Sequence, residues 1–219
     1  SPDDDARDAL AQTVKLCRDL GHDVRDTSPP PIDGRDLSQA FFTAAGDVVA
    51  QLAAMVEPML GRSPDERELE PFTLALLERQ RAAPPTAVAD ALASFARMRA
   101  TMRTYLADFD VTLCPTLPTD VPSLGTLAPT LACEELIRRT ERLAGYTPIH
   151  NVAGVPAMTV PLHVVRGLPR GMHFAASHGD EAKLLALAYE LEEAQPWGGR
   201  LPLVPAHWAQ TSSRAAATM

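Results

Sequence analysis

Lys15 and Lys183 are the only lysines in a 219-residue chain whose positive charge is almost all arginine. A lysine serves as a base only where burial strips its ammonium of water, and neither position reads that way. Lys15 falls on the polar face of a helical pattern, and Lys183 falls in the first turn of another. Both read as solvated surface charges. The only adjacent serines, Ser212 and Ser213, stand in a C-terminal stretch with no glycines around them. A serine nucleophile with a lysine base is not found in these residues. Six histidines raise the question of a metal. His163, His173 and His178 lie in or just after paired strand patterns, while His22, His150 and His207 are scattered. No two of them show the close helical spacing of a zinc site and no cysteine joins them, so no metal site is expected. Cys114 ends an apolar strand pattern, where burial raises a thiol's pKa, and inert packing is its expected role. Phosphate loops and nucleotide fingerprints are absent.

The most structured run of motif residues lies later in the chain. Thr147-Pro148, Asn151, Gly154, Pro156-Ala157 and Pro161 are followed by Gly167-Leu168-Pro169 and Gly171, then Gly179-Asp180-Glu181 and an apolar helix pattern from Leu184 to Ala188. Pro148, Pro156 and Pro161 remove backbone donors and fix φ, which predicts a rigid, irregular lead into a strand. Asn151 in such a segment has two readings: its amide braces neighbouring backbone groups, or it lines a pocket.

These motifs, in this order and spacing, resemble the C-terminal third of the amidase signature family, serine hydrolases that cleave amides with a Ser–Ser–Lys triad. Residues 108–197 carry the resemblance most strongly, with Asp110 to Thr116 ahead of the two motifs and Gln195-Pro196-Trp197 behind them. Residues 1–28 match a looser pattern ending in Leu20-Gly21-His22-Asp23-Val24, and 36–107 match only in being helical. The resemblance implies an α/β fold, a mixed β-sheet flanked by helices on both faces. It further implies acyl transfer from a small-molecule amide to water through a serine acyl-enzyme, with no cofactor. The triad would come from an N-terminal segment of the same amidase, and residues 1–219 alone would be inactive. The resemblance places Thr116 and Thr147 near the active-site mouth, makes a pocket role for His150 possible, and sets Asn151 beside the acyl pocket. Two positions depart from the family: Arg170 replaces an aliphatic residue and Ala176 a glycine. A charged residue entering a strand suggests an exposed or edge position. Two other functions stay open: a glutamine-dependent amidotransferase subunit, and a non-catalytic binding module descended from an amidase.

The elements that must position these residues can be read from periodicity. Ser1 is read as a helix cap, Pro2 fits the first turn, and Asp3 to Asp5 face the positive end of the helix dipole. Ala6, Leu10, Val14, Cys17 and Leu20 then form an apolar stripe that Gly21 stops. A short strand is expected over 22–27, then helices over 36–60, 66–82 and 86–107. The last has an apolar stripe of Val88, Leu92, Phe95, Met98, Met102, Tyr105 and Leu106, read as core packing. A strand over 110–114, a helix over 130–144, strands over 156–163 and 170–176 joined at Arg166-Gly167, and a helix over 180–194 capped by Ser177 or Asp180 complete the reading. Residues 1–210 are read as one segment of a single domain, 36–107 as its variable helical block, and 211–219 as a disordered tail.

Composition sets the outer bounds. Net charge of −8 argues against a nucleic-acid-binding surface. Three cysteines without a C-x-x-C pair fit a reducing cytosol and a cytoplasmic location. Apolar runs such as 48–56 are about half the length a bilayer needs, so no membrane span is expected. The chain starts at Ser1 without a methionine and enters a helix at once, which suggests that an N-terminal portion precedes it. A homodimer is left open.

Overall fold

A computed structural model describes residues 2–199. The expected tail over 211–219, His207, Ser212-Ser213 and the Ser1 cap lie outside the described residues. Its elements are α1 (Asp4–Asp19), α2 (Gly34–Leu60), α3 (Pro71–Arg81), α4 (Ala87–Leu106), β1 (Thr112–Pro115), α5 (Cys133–Leu143), α6 (Pro148–Ala153), β2 (Ala157–Val165), β3 (Leu168–Ala175) and α7 (Glu181–Ala194).

The three strands form one sheet in the order β1-β3-β2. Both pairings are antiparallel, so the expected mixed sheet is, among the described residues, antiparallel throughout. The fold remains α/β. The β2–β3 connection is a two-residue turn in which Arg166 and Gly167 both adopt positive φ, 51° and 80°. That pair of conformations matches the twist of the flanking strands, and Gly167 takes its share without a Cβ penalty.

Because side chains alternate across a strand, β2 and β3 present two different faces. On one, Val160, Leu162, Met172 and Phe174 pack with Ala9 and Cys17 of α1 and Leu184 and Leu191 of α7. Leu162 and Met172 are fully buried, and this is the main core. α6 stands against the other face. It also shares a second core with α4, in which Ile149, Val152 and Ala153 meet Met98, Met102 and Leu106. Leu92, assigned to the α4 core stripe from sequence, is exposed instead.

Helix α1 is capped two residues later than its sequence suggests. Asp3 takes the cap position, and its carboxylate accepts from the Ala6 N–H at 2.7 Å. No strand forms over 22–27. That stretch has no regular structure and no ladder partner among the described residues, and Asp23 and Arg25 pair with each other at the surface. The segment around Pro148 is not irregular: it is the short helix α6. Pro148 occupies the first helical turn, where a missing N–H costs nothing, and Gly154 closes the helix in the left-handed region. At α7, Asp180 takes the cap position without a side-chain cap bond.

Arg170 overturns the expectation of an exposed or edge strand. It sits on the central strand at 7% exposure. Its guanidinium meets Asp120 at 2.5 Å, the Thr119 carbonyl at 3.3 Å and Asp3 at 3.4 Å. Arg166 bridges Asp5 and Asp120 at 2.6 Å each. The charge is buried because these partners accompany it, tying the start of α1, the loop after β1 and the hairpin turn together. Ala176 needs no left-handed backbone, as expected, and is fully buried.

α2 corrects the bilayer estimate by length and composition alone. Its 27 residues include a window of mean hydropathy 1.3, because Asp47 and Gln51 interrupt an apolar run without offsetting its average. Its buried residues are Ala40, Gly46 and Ala53. Phe41, Val48, Leu52, Met55 and Met59 line another side and are exposed.

Candidate functional site

The site grows from the end of β1. Thr116 continues the ladder past the strand, its N–H donating to the Gly171 carbonyl at 3.1 Å. This places its hydroxyl on the α6 side of the sheet, 3.2 Å from the hydroxyl of Thr159 on β2. Thr159 stands opposite His173 in the β2–β3 register, and its Oγ1 lies 3.3 Å from His173 Nδ1. The other ring nitrogen, Nε2, lies 3.3 Å from Nδ1 of His150 on α6. The two rings are 4.8 Å apart, tilted by 49°. Four side chains, from the residue after β1, from β2, from β3 and from α6, thus form one polar file, half-exposed at Thr116 and buried at the histidines.

Gly171 makes this approach possible. A Cβ on it would lie 2.5 Å from Thr159 Cγ2 and 2.9 Å from Thr116 Oγ1, inside any tolerable contact. The glycine of the second motif is needed here for space.

Burial controls the electrostatics. It pushes the His173 pKa down to about 4, with the nearby His150 adding to the effect. It lowers His150 as well, opposed by a backbone hydrogen bond at Thr147. Cys114, the cross-strand neighbour of His173, has its thiol pushed up to about 12 by burial, which makes it a poor nucleophile. Tyr146 is raised by burial and by Cys114. Among the described residues no three His, Cys, Asp or Glu side chains converge as a metal site would require.

Of the four residues singled out from sequence, Thr116 and His150 belong to the file. Thr147 caps α6 by position without a side-chain cap bond, and its carbonyl accepts from His150 N–H. Asn151 is exposed, and its side chain makes no hydrogen bond among the described residues, so it does not brace the backbone. The sequence reading missed Thr159 and the pairing of His173. Pairing counted back from the Arg166-Gly167 turn would set His173 opposite Val160. A bulge between Val160 and His163 shifts the register by one and brings Thr159 there instead.

The lysines lie elsewhere. Lys15 pairs with Asp19 at the surface. Lys183 meets Asp110 at 3.0 Å and Asp180 at 3.1 Å, which raises its pKa, opposite to what a neutral lysine base requires. A cleft of about 380 Å³ opens between α1 and β2, lined by Asp5, Asp8, Gln12, His163 and Gln195. It lies on the far face, and none of the four candidates lines it.

Comparison with known proteins identifies the family of the chain. The family model described as Amidase matches residues 1–185. The chain is 32% identical over 192 residues to the protein named "Putative amidase AmiC" of Mycobacterium leprae (strain TN), covering 87% of this chain and 40% of that one. It is 28% identical over 193 residues to the 6-aminohexanoate-cyclic-dimer hydrolase of Pseudomonas sp. (strain NK87), covering 84% and 39%. The structure of 6-aminohexanoate cyclic dimer hydrolase complexed with substrate superposes with a TM-score of 0.82 at 23% identity, covering 92% of this chain and 44% of that one. The chain therefore spans about 40% of the length of the curated relatives it matches. With the family model covering most of its residues, this chain belongs to the amidase signature family.

Proposed function

We propose that this chain is the C-terminal part of an amide hydrolase that works through a serine acyl-enzyme. The Ser–Ser–Lys triad would be carried by a preceding segment, and the Thr116–His150 face of the sheet would border the acyl pocket. The observation that carries this reading is the division of labour on the sheet. One face bears a built polar file, while both lysines are ion-paired at the surface and no described serine hydrogen-bonds to either. A site with binding groups but neither nucleophile nor base is what one part of a shared active site would look like. The exposed apolar line along α2 supports a covering neighbour, for which the preceding segment is the candidate.

Thr116 and His150 act as pocket residues in this reading, with Thr147 and Asn151 flanking them on α6. No metal or cofactor takes part. The similarity to a 6-aminohexanoate-cyclic-dimer hydrolase directs the first assays to aminoalkanoate amides, with aryl amides beside them. The test compares the full-length natural protein with residues 1–219 alone on that panel. Turnover by the former and none by the latter is expected. Turnover by residues 1–219 alone would contradict the reading, and ammonia release from glutamine in preference to any other amide would favour an amidotransferase.

A further inference from the structure

Thr116, Thr159, His173 and His150 stand in single file at spacings of 3.2, 3.3 and 3.3 Å. Each gap has room for one hydrogen. A neutral imidazole carries one N–H and one bare nitrogen, so it passes on a direction: what it accepts on one side it must donate on the other. Only one hydrogen fits between His173 Nε2 and His150 Nδ1, and the two rings must therefore carry the same tautomer. If His173 holds its proton on Nε2, His150 Nδ1 is bare and its proton sits on Nε2. The reverse arrangement puts both protons on Nδ1.

The same bookkeeping reaches the hydroxyls. When His173 Nδ1 is bare it takes the Thr159 hydrogen, Thr159 accepts from Thr116, and Thr116 offers only lone pairs outward. When His173 Nδ1 is protonated, Thr159 accepts from it and donates to Thr116, whose own hydrogen then faces outward. Burial favours the neutral form of both rings, which are 8% and 7% exposed. Cys114, cross-strand to His173, and Tyr146, ahead of α6, both have their pKa values raised by burial.

We propose that His150 and His173 are positioning residues, a tautomer-matched pair that sets whether the Thr116 hydroxyl accepts from or donates to the amide group of a bound substrate. This rests on the reading that Thr116 borders the acyl pocket. An amide presents a carbonyl oxygen and, when primary or secondary, an N–H, so a hydroxyl able to take either sense can meet either end of the group. In switching tautomer each ring gives up the hydrogen on one nitrogen and takes one on the other, by exchange along the file and with water, so neither ring gains or loses a net proton and no covalent bond to the substrate forms.

The test is long-range ¹⁵N-edited NMR on the full-length natural protein labelled at histidine, at pH 7.5. The pair is expected as two neutral rings of one tautomer. Opposite tautomers, or a cationic ring at that pH, would overturn the proposal without use of any variant. In His150→Phe the constraint is lifted, and the His173 tautomer ratio should move severalfold; an unchanged ratio counts against coupling. Kinetics supply the second arm. Thr116→Val should raise KM for a secondary amide about three- to tenfold with kcat little changed, and Thr116→Ser should restore the parent value. An unchanged KM in an active enzyme would remove Thr116 from the substrate. A protein that hydrolyses no amide would refute the proposed function and the substrate half of this inference together, with matched tautomers still showing the coupled pair.

Discussion

The two faces of the β2–β3 hairpin use the same strands to opposite ends. Toward α1 and α7, Val160, Leu162, Met172 and Phe174 close a dry core. The polar groups on that side are satisfied locally. Thr13 lies 2.7 Å from His163 Nε2 while its hydroxyl bonds the Ala9 carbonyl, and Arg170 is ringed by Asp120, Asp3 and the Thr119 carbonyl. Toward α6, the polar groups are linked to one another in a file that ends at a half-exposed hydroxyl. Both faces bury histidines, but one braces a helix and the other couples side chains across a site. Partners, more than residue type, separate scaffold from site here.

The largest expected effect lies on the apolar face. Phe174→Ala should cost about 3–5 kcal/mol in denaturant unfolding, from lost burial and the cavity left behind. Turnover per folded molecule should stay within about twofold. A selective loss of turnover would mean that the faces are not separate.

Acid should act next, through the polar face. The folded protein keeps His173 neutral down to about pH 4, whereas an unfolded chain protonates it near 6.5. Between those values the unfolded state binds more protons, so stability falls as pH drops from 6.5 toward 4, by up to about 3 kcal/mol. His173→Gln should flatten this part of the stability–pH curve. An identical curve in the variant would assign the acid sensitivity to other groups.

Gly171→Ala should sharpen the comparison from the other direction. The added methyl must displace Thr159 or Thr116, costing about 1–3 kcal/mol while disturbing the file itself. Turnover should fall more than stability does. Proportional losses would make Gly171 a packing residue only.

Much of the scaffold was legible in the sequence because its signals are local. Turn residues Arg166-Gly167, the apolar spacing of α1 and the punctuated helices of residues 34–106 each announce themselves within a few positions. What failed was what depends on distant partners. Residues 22–27 have a strand's look but no strand to pair with, and Arg170 looked like an edge charge because Asp3 and Asp120 are far away in sequence. α6 was hidden because Pro148 reads as a breaker until one sees it at a helix start, where proline is welcome. Thr116 and His150 were found as separate candidates. Their connection runs through Thr159 and His173, which only the bulge beside Pro161 brings opposite each other.

The smallest expected effect is at Asn151. Exposed and without a side-chain partner among the described residues, Asn151→Ala should change stability by no more than about 0.5 kcal/mol. Turnover then decides its role: a clear loss would place it at the pocket rim, and parent-like kinetics would remove it from the site.

The central claim is that this chain holds one wall of an active site whose nucleophile lies on a preceding segment. Labelling the full-length natural protein with a fluorophosphonate and locating the adduct by peptide mass mapping tests it most directly. The account predicts a single modified serine ahead of Ser1 of this chain. An adduct on any serine within residues 1–219, or an active protein that takes up no label, would contradict it.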